Sequence, residues 1–273
     1  MEKNISLVYL VAGISSRFGG KPKFFAKIGK NNESLIEISL NQALPAGFTK
    51  IVFIVSDQTE KLFKEKFGLE YLGIPISYAH QEFNKELRDK PWGTTAALCS
   101  IKGVVDCPFV ICNGDDLYGK IAFKKLVEHL LDEKNKGSCA TIGYQLKEVL
   151  PEKGKVNRGI FHLDKEEYVL DIVETFDIEK NTLTEKGLES DANCSMNIFG
   201  LYPNVVEDLD EILKKFKESH KGDRTIECLL PVELSRLIKE GKMKMKLYET
   251  SEKCYGLTNP EDEEVLRETL GKL

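Results

Sequence analysis

Three short stretches of the chain combine residue types that could handle a polyphosphate. The first, LVAGISSRFGGKPK, runs from Leu10 to Lys23. It sets Ala12 and Gly13 at the end of an apolar run and follows them with Arg17, Gly19, Gly20, Lys21 and Lys23. A glycine lets the backbone approach a phosphate or base with no Cβ in the way. An arginine can fork across two phosphate oxygens, and a lysine adds a compact charge. No Gly-Lys-Ser/Thr closes the stretch, so it is not a Walker A loop, and the three-glycine dinucleotide pattern is absent. A solvated turn with surface lysines would read the same way.

The second stretch, FVICNGDDLYG, places Asp115 and Asp116 just past another apolar run. Magnesium prefers carboxylate and phosphate oxygens and often keeps only one or two protein ligands. An aspartate here could hold Mg2+ against an α-phosphate. Gly-Asp-Asp is equally good turn chemistry, and the residues alone do not choose. In the third stretch, KPWGTTAAL, Gly93 and Thr94 open a helix. Its first N–H groups could meet a base or phosphate, or the threonines could simply cap it. Gln81 could read a base edge through its amide, although a lone glutamine is ordinarily solvent-facing.

These residues need a frame. Residues 5–12, 51–55 and 109–113 are nearly continuous apolar runs, as expected of strands buried on both faces of a sheet. IPISY (74–78) and CATIGY (139–144) read as further strands. Between them, residues 34–44, EKLFKEKF (60–67), 93–101 and 121–134 have helical patterns. Ser34 stands three positions before Glu37, the spacing of a capping box. The alternation predicts a parallel sheet with helices on both faces. Ligands of such sheets bind beyond the carboxyl ends of the strands, so the loops after residues 12, 78 and 113 should line one site. Further on, GIFHLD and YVLDIVE read as a hairpin around 165–167, and residues 193–202 as one more strand. Helices near 205–218 and 227–239, a strand over 243–249 and a closing helix from Pro260 complete the chain. The expectation is one domain over 1–273, with a nucleotide-binding half of about 1–145 and an acceptor-binding and C-terminal part of about 146–273.

Composition narrows the partners. The 273 residues are 41% hydrophobic and 30% charged, an ordinary globular balance. The net charge of −5 provides no global positive field for nucleic acid or an anionic membrane. No apolar stretch approaches the ~20 residues that span a bilayer, and the opening MEKNISLVYLVAG reads as a strand rather than a signal peptide. The seven cysteines have neither zinc-knuckle nor redox-pair spacing. They fit reduced core thiols in a cytoplasmic protein. The sequence does not decide between a monomer and a homo-oligomer.

Taken together, Leu10-Val11-Ala12-Gly13-Ile14-Ser15-Ser16-Arg17-Phe18-Gly19, Pro22-Lys23, Gly93-Thr94 and Gly114-Asp115 stand in an order and spacing that resembles the nucleoside-triphosphate transferase family, the sugar-phosphate nucleotidyltransferases. The resemblance implies an α/β three-layer sandwich with a mainly parallel, mixed central sheet of Rossmann-like type. It implies roles as well. Ala12 and Gly13 would touch the nucleotide, with Gln81, Gly93 and Thr94 bordering base and ribose. Arg17 would neutralise the triphosphate and the leaving pyrophosphate, and Lys23 would lie between donor and acceptor phosphates. Asp115 would bind Mg2+. NRGIFHLD, IVETF and SMNIFGLY resemble the acceptor-side segments and would bring Gly159, Glu174 and Asn197 to the acceptor, with Arg158 a candidate for its phosphate.

Three departures stand out. Thr175 replaces the lysine common beside Glu174. The stretch from Gln81 to Gly93 is longer than usual. Thr258 stands where a second acidic or asparagine metal ligand is common, a gap that Asp116 could fill or that could leave one carboxylate sufficient.

The implied reaction joins a nucleoside monophosphate from a triphosphate to a small phosphorylated acceptor such as a sugar 1-phosphate. An acceptor phosphate oxygen attacks the α-phosphorus in line and pyrophosphate leaves, so charge neutralisation and alignment dominate. The nucleophile is already ionised, and none of the four histidines sits in a recognisable dyad. Two rival readings use the same features: a nucleotide-sugar-dependent glycosyltransferase, and a nucleotide-sensing domain without turnover.

Overall fold

The computed structural model describes residues 3–13, 22–151, 154–257 and 262–272. In chain order its strands and helices are β1 (Ser6–Leu10), α1 (Leu35–Ala43), β2 (Lys50–Val55), α2 (Glu60–Phe67), β3 (Glu70–Tyr71), β4 (Ile74–His80), α3 (Thr94–Cys99), β5 (Phe109–Asn113), β6 (Asp116–Leu117) and α4 (Lys120–Leu131). There follow β7 (Ser138–Gln145), α5 (Leu146–Val149), β8 (Val156–Leu163), β9 (Val169–Ile178), β10 (Asn193–Cys194), β11 (Phe199–Leu201), α6 (Pro203–Ser219), α7 (Leu230–Lys239), β12 (Lys244–Glu249), β13 (Tyr255–Gly256) and α8 (Asp262–Lys272).

The long apolar runs are apolar on both faces because both faces are covered. In β1, Leu7 and Tyr9 enter one core cluster and Val8 the other; in β5, Val110 and Cys112 oppose Phe109 and Ile111 in the same way. Helices α1, α2 and α4 cover the first face through Ile36, Phe63 and Phe123. Helices α3, α6 and α7 cover the second through Leu98, Leu209 and Leu234. The result is the expected three layers. No helix among the described residues is long and apolar enough to cross a membrane.

The sheet is mixed. Its order is β3-β4-β2-β1-β5-β11-β7-β10-β8-β9, with β12 also paired to β7. Strand β1 lies parallel between β2 and β5, at the point where the chain turns back across the sheet. That reversal leaves a crevice beyond the carboxyl ends of β1 and β5. Strand β11 runs antiparallel to both β5 and β7.

Two local expectations change. Residues 193–202 do not form one continuous strand. Strands β10 and β11 both pair with β7, but five residue steps from Cys194 to Phe199 face three from Tyr144 to Thr141. The two extra residues form a bulge over 195–198, where Asn197 takes φ 57°. A bulge re-aims side chains and bends its strand. Helix α4 stops at Leu131 rather than running to 134, because the Asp132 side chain accepts the Lys134 N–H at 3.0 Å and starts a new turn. Helix α1 begins as its sequence predicts, with the Ser34 N–H donating to the Glu37 carboxylate at 2.8 Å.

Candidate active site

The carboxyl ends of β1 and β5 are drawn together by a glycine. The Gly114 N–H donates to Leu10 O at 3.1 Å. A Cβ on Gly114 would lie 2.3 Å from Val11 Cγ1 and 3.3 Å from Leu10 O. Only a residue without a side chain fits, so the chain leaves β5 pressed against β1, and Asp115 follows at the mouth of the crevice. Gly13 is different. No described atom lies within 4 Å of the place its Cβ would take. Ala12 beside it is held by its carbonyl, which accepts from Ser56 Oγ at 2.8 Å.

Asp115 is tied to two distant parts of the chain. Its carboxylate forms an ion pair with the Lys23 ammonium, both side chains being about a fifth exposed. Its carbonyl accepts the Leu257 N–H at 3.1 Å. Lys23 Nζ in turn donates to Leu257 O at 3.2 Å. The segment that ends at Leu257 is anchored upstream by Glu252. That carboxylate accepts the N–H groups of Lys120 at 3.1 Å and Ile121 at 2.6 Å, at the positive end of α4.

Asp116 has another task. It is buried, and Asn113 Nδ2 donates to its Oδ2 at 2.8 Å. The Tyr118 hydroxyl stands 3.3 Å from the same oxygen, and a Cβ on Gly256 would meet Oδ1 at 2.5 Å. Burial and then the charge of Asp115 push its pKa up to about 7, against the pull of the Asn113 amide. With one oxygen hydrogen-bonded and the other packed on Gly256, Asp116 supports the turn rather than facing the crevice. Among the described residues no group of three or more His, Cys, Asp or Glu side chains is arranged around a common metal position.

On one flank lie Gln81, Gly93 and Thr94. Gln81 Nε2 donates to Gly93 O at 3.3 Å. Gly93 has φ 90°, and a Cβ there would meet Cys228 O at 2.6 Å. The Thr95 N–H donates to Cys228 O at 3.1 Å, and Thr94 Oγ1 accepts the Leu230 N–H at 2.9 Å. The start of α3 is thus occupied by residues 228–230, and the Thr94 hydroxyl serves α7. The long stretch after Gln81 is an arm docked on the same segment. Arg88 is buried and donates to the carbonyls of Lys90, Asp223 and Ile226, with its guanidinium 3.5 Å from the Trp92 ring centroid. Arg224 reciprocates on Asp89 and the Glu86 carbonyl.

On the other flank, β8 and β9 set Gly159 opposite Glu174. A Cβ on Gly159 would lie 2.8 Å from Ile172 Cγ2 and 3.6 Å from Pro231 Cβ, so β9 and the first turn of α7 close over it. Burial raises the pKa of Glu174 against the attraction of Arg158. The charge of Arg158 also opposes the burial that raises the pKa of Asp116, Cys194 and Cys254. Arg158 donates to Asn157 O at 2.9 Å, while its buried Nε has no partner among the described residues. Asn197 sits in the bulge, its N–H donating to Ser195 Oγ at 3.1 Å.

Lys23, Asp115 and the end of β1 therefore meet between two flanks. One carries Gln81, Gly93 and Thr94, and the other carries Arg158, Gly159, Glu174 and Asn197. Arg17 and Thr258 lie outside the described residues. Sequence reasoning overlooked the Leu257 carbonyl, Asn113, Tyr118 and Arg88. The first acts through its backbone, Asn113 acts on the Asp116 and Tyr118 side chains of its own turn, and Tyr118 and Arg88 act on carbonyls far away in sequence. The histidines stand apart from the crevice chemistry, as His129 illustrates, buried between Tyr248 Oη at 3.0 Å and Ser138 O at 2.8 Å. All seven cysteines are free thiols, five of them buried.

Residues 18–249 match the family model described as nucleotidyl transferase. None of the curated proteins matches the sequence. Solved structures do match the fold along nearly its whole length. A Bacillus anthracis protein described as a glucose-1-phosphate thymidylyltransferase, in complex with a sucrose, aligns with TM-score 0.70 at 15% identity over 98% of this chain and 96% of its own. A UDP-glucose pyrophosphorylase complexed with UDP-glucose aligns with TM-score 0.66 at 16% identity over 98% and 99%. The inositol-1-phosphate CTP transferase from T. maritima aligns with TM-score 0.65 at 14% identity over 98% and 96%.

Proposed function

Because the chain belongs to the nucleotidyl transferase family, we propose that it moves a nucleoside monophosphate from a nucleoside triphosphate to a small phosphorylated acceptor, a sugar 1-phosphate or a similar polyol phosphate, and releases pyrophosphate. The observation that carries this reading is the meeting of Lys23, Asp115 and the Leu257 carbonyl at the ends of β1 and β5. One flank of that meeting point offers an amide and a glycine, and the other a half-buried carboxylate and an arginine with an unspent N–H.

The chemistry follows from charge. Two anions must come together, so positive groups and alignment supply most of the catalysis. Lys23 lies between the flanks, where an ammonium can bridge donor and acceptor phosphates. Arg17 neutralises the triphosphate and then the departing pyrophosphate. Arg158 receives the acceptor phosphate and Glu174 accepts from its hydroxyls, while Asn197 borders the same pocket. Ala12 and Gly13 border the nucleotide, whose base and ribose lie toward Gln81, Gly93 and Thr94.

The donor set suits Mg2+ rather than a softer metal: one partly exposed carboxylate, Asp115, which already draws a cation, with oxygens of phosphate and water to complete the shell. Bound there, Mg2+ would neutralise charge on the α-phosphate and the leaving group. In the free protein the Lys23–Asp115 pair keeps both charges compensated. With a metal triphosphate bound, Asp115 would hold the metal and Lys23 would be left to pair with phosphate. No general base is required, because an acceptor phosphate is already an anion near neutral pH.

The test is pyrophosphate release with Mg2+ from a panel of nucleoside triphosphates crossed with sugar 1-phosphates and other small phosphomonoesters. Release from one pair identifies both substrates. Release from none, with a triphosphate still bound, sinks the transfer reading in favour of sensing.

A further inference from the structure

Pairing between β5 and β11 ends at Ile111 and Phe199. Beyond that point β5 runs on toward Asp115, while the other chain enters the bulge that carries Asn197. Beyond the last pair, one side chain hydrogen-bonds the two together. Tyr118 is fully buried. Its hydroxyl oxygen accepts the Asn113 N–H at 3.0 Å and donates to Met196 O at 2.7 Å. Asp116 Oδ2, at 3.3 Å, is the more distant acceptor for the single hydroxyl proton. Asn113 lies two residues before Asp115, and Met196 lies one before Asn197. Among the described residues, this hydroxyl makes the one hydrogen bond between the 113–118 turn and the 195–198 bulge.

We propose that Tyr118 is a positioning residue of the transfer reaction, whose hydroxyl holds the Asp115 turn and the acceptor wall at Asn197 in one fixed relation. The inference rests on the transfer reading above. Asp115 belongs to the triphosphate side and Asn197 to the acceptor side, so their spacing governs how the attacking oxygen meets the α-phosphorus. A displacement of about 1 Å can cost on the order of 10²-fold in such an approach. Without the hydroxyl, the part-buried Asn113 N–H and the buried Met196 carbonyl each lose their shared partner, and the bulge can relax independently of the turn.

Stability alone is separable by a control. Tyr144 is nearly as buried, and its hydroxyl donates to Tyr118 O at 2.7 Å. That hydroxyl braces the same turn and, among the described residues, makes no hydrogen bond to the bulge. Tyr118→Phe and Tyr144→Phe should lose similar thermal stability. Tyr118→Phe alone should raise the acceptor KM and lower kcat, each roughly 10-fold, with the triphosphate KM unchanged within about 2-fold. Equal kinetics in two folded variants would overturn the proposal.

A second measurement needs no turnover. The chain has four methionines, so the 13C-methyl resonance of Met196 can be assigned and followed as a magnesium nucleoside triphosphate is added. It should shift in the wild type and in Tyr144→Phe and stay still in Tyr118→Phe. A Met196 resonance that fails to move in the wild type, or moves equally in Tyr118→Phe, overturns the link. If Tyr118→Phe does not fold, 3-fluorotyrosine at position 118 keeps the hydroxyl and weakens it as an acceptor. It should move the acceptor KM in the same direction, and an unmoved KM counts against the proposal. Absence of pyrophosphate from every substrate pair in the wild type would instead defeat the functional reading, while the methyl experiment still decides the link.

Discussion

Gly93 and Gly13 both border the flank proposed to take the nucleotide, and they are glycines for opposite reasons. At Gly93 the backbone has φ 90° and ψ −172°, a region nearly closed to other residues, where an alanine costs about 1–3 kcal/mol. Its Cβ would also stand 2.6, 2.9 and 3.0 Å from Cys228 O, N and C. Those atoms are backbone, held in place by the Cys228 N–H to Trp92 O bond at 2.9 Å and the Thr95 N–H to Cys228 O bond at 3.1 Å. They cannot swing aside as a side-chain tip would, which adds about 1–3 kcal/mol of overpacking. Gly93→Ala should therefore lose about 2–6 kcal/mol. At about 2 °C per kcal/mol for a chain of this length, the expected fall in Tm is roughly 4–12 °C. Gly13→Ala meets no described atom, so its Tm should stay within about 1 °C while its triphosphate KM rises, on the order of 10-fold for each ~1.4 kcal/mol by which nucleotide binding weakens. Scanning calorimetry and initial-rate kinetics on the two variants decide the matter. A Gly93→Ala protein with unchanged Tm and weakened nucleotide affinity would refute the packing argument and make Gly93 a ligand contact.

Other outcomes follow from the same geometry. Asp115→Asn keeps the size of the side chain and removes its charge; pyrophosphate release should fall at least ~10²-fold while the fold survives, as far-UV dichroism would show. Arg88→Ala strips three carbonyls of a charged donor, each such bond being worth about 1.5–3 kcal/mol; protease cleavage within 82–92 should accelerate, and unchanged cleavage would contradict the docked arm. Glu37 feels burial as an upward push, yet hydrogen bonds from Lys66 and Ser34 hold its pKa down to about 2. A depressed carboxyl pKa stabilises the fold above its unfolded value, and that contribution is lost as pH falls toward the folded one. The stability gap between wild type and Glu37→Gln should be widest near neutral pH, narrow below about pH 4.5 and close near pH 2.

The parts of this structure that were legible in the sequence are those where chemistry and backbone order coincide. Strands β1 and β5 announce themselves because burial on both faces demands unbroken apolar runs, and the glycines and aspartate follow within one or two residues. Ser34 and Glu37 are close enough in sequence for their mutual cap to show. The bulge at 195–198 was hidden because alternation reports which face a residue takes but not how many residues its partner strand supplies. The arm at 82–92 was hidden because Arg88 is satisfied by backbone carbonyls, whose positions carry no residue code. Tyr118 is by area a core aromatic; its hydroxyl matters only once Met196 is known to lie beside it.

The tie between Asp115 and Leu257 also has a consequence in time. Leu257 follows Asp115 by 142 residues. A ribosome adding ~5–20 residues per second takes roughly 7–28 s to cover that distance. Through that interval a nascent chain already holds β1, β5 and Asp115, but neither Lys23 nor Asp115 has its Leu257 partner. The candidate site is thus completed only after residue 257 has been added. A polypeptide interrupted before residue 257 would carry Lys23 and Asp115 without the Leu257 backbone that braces them.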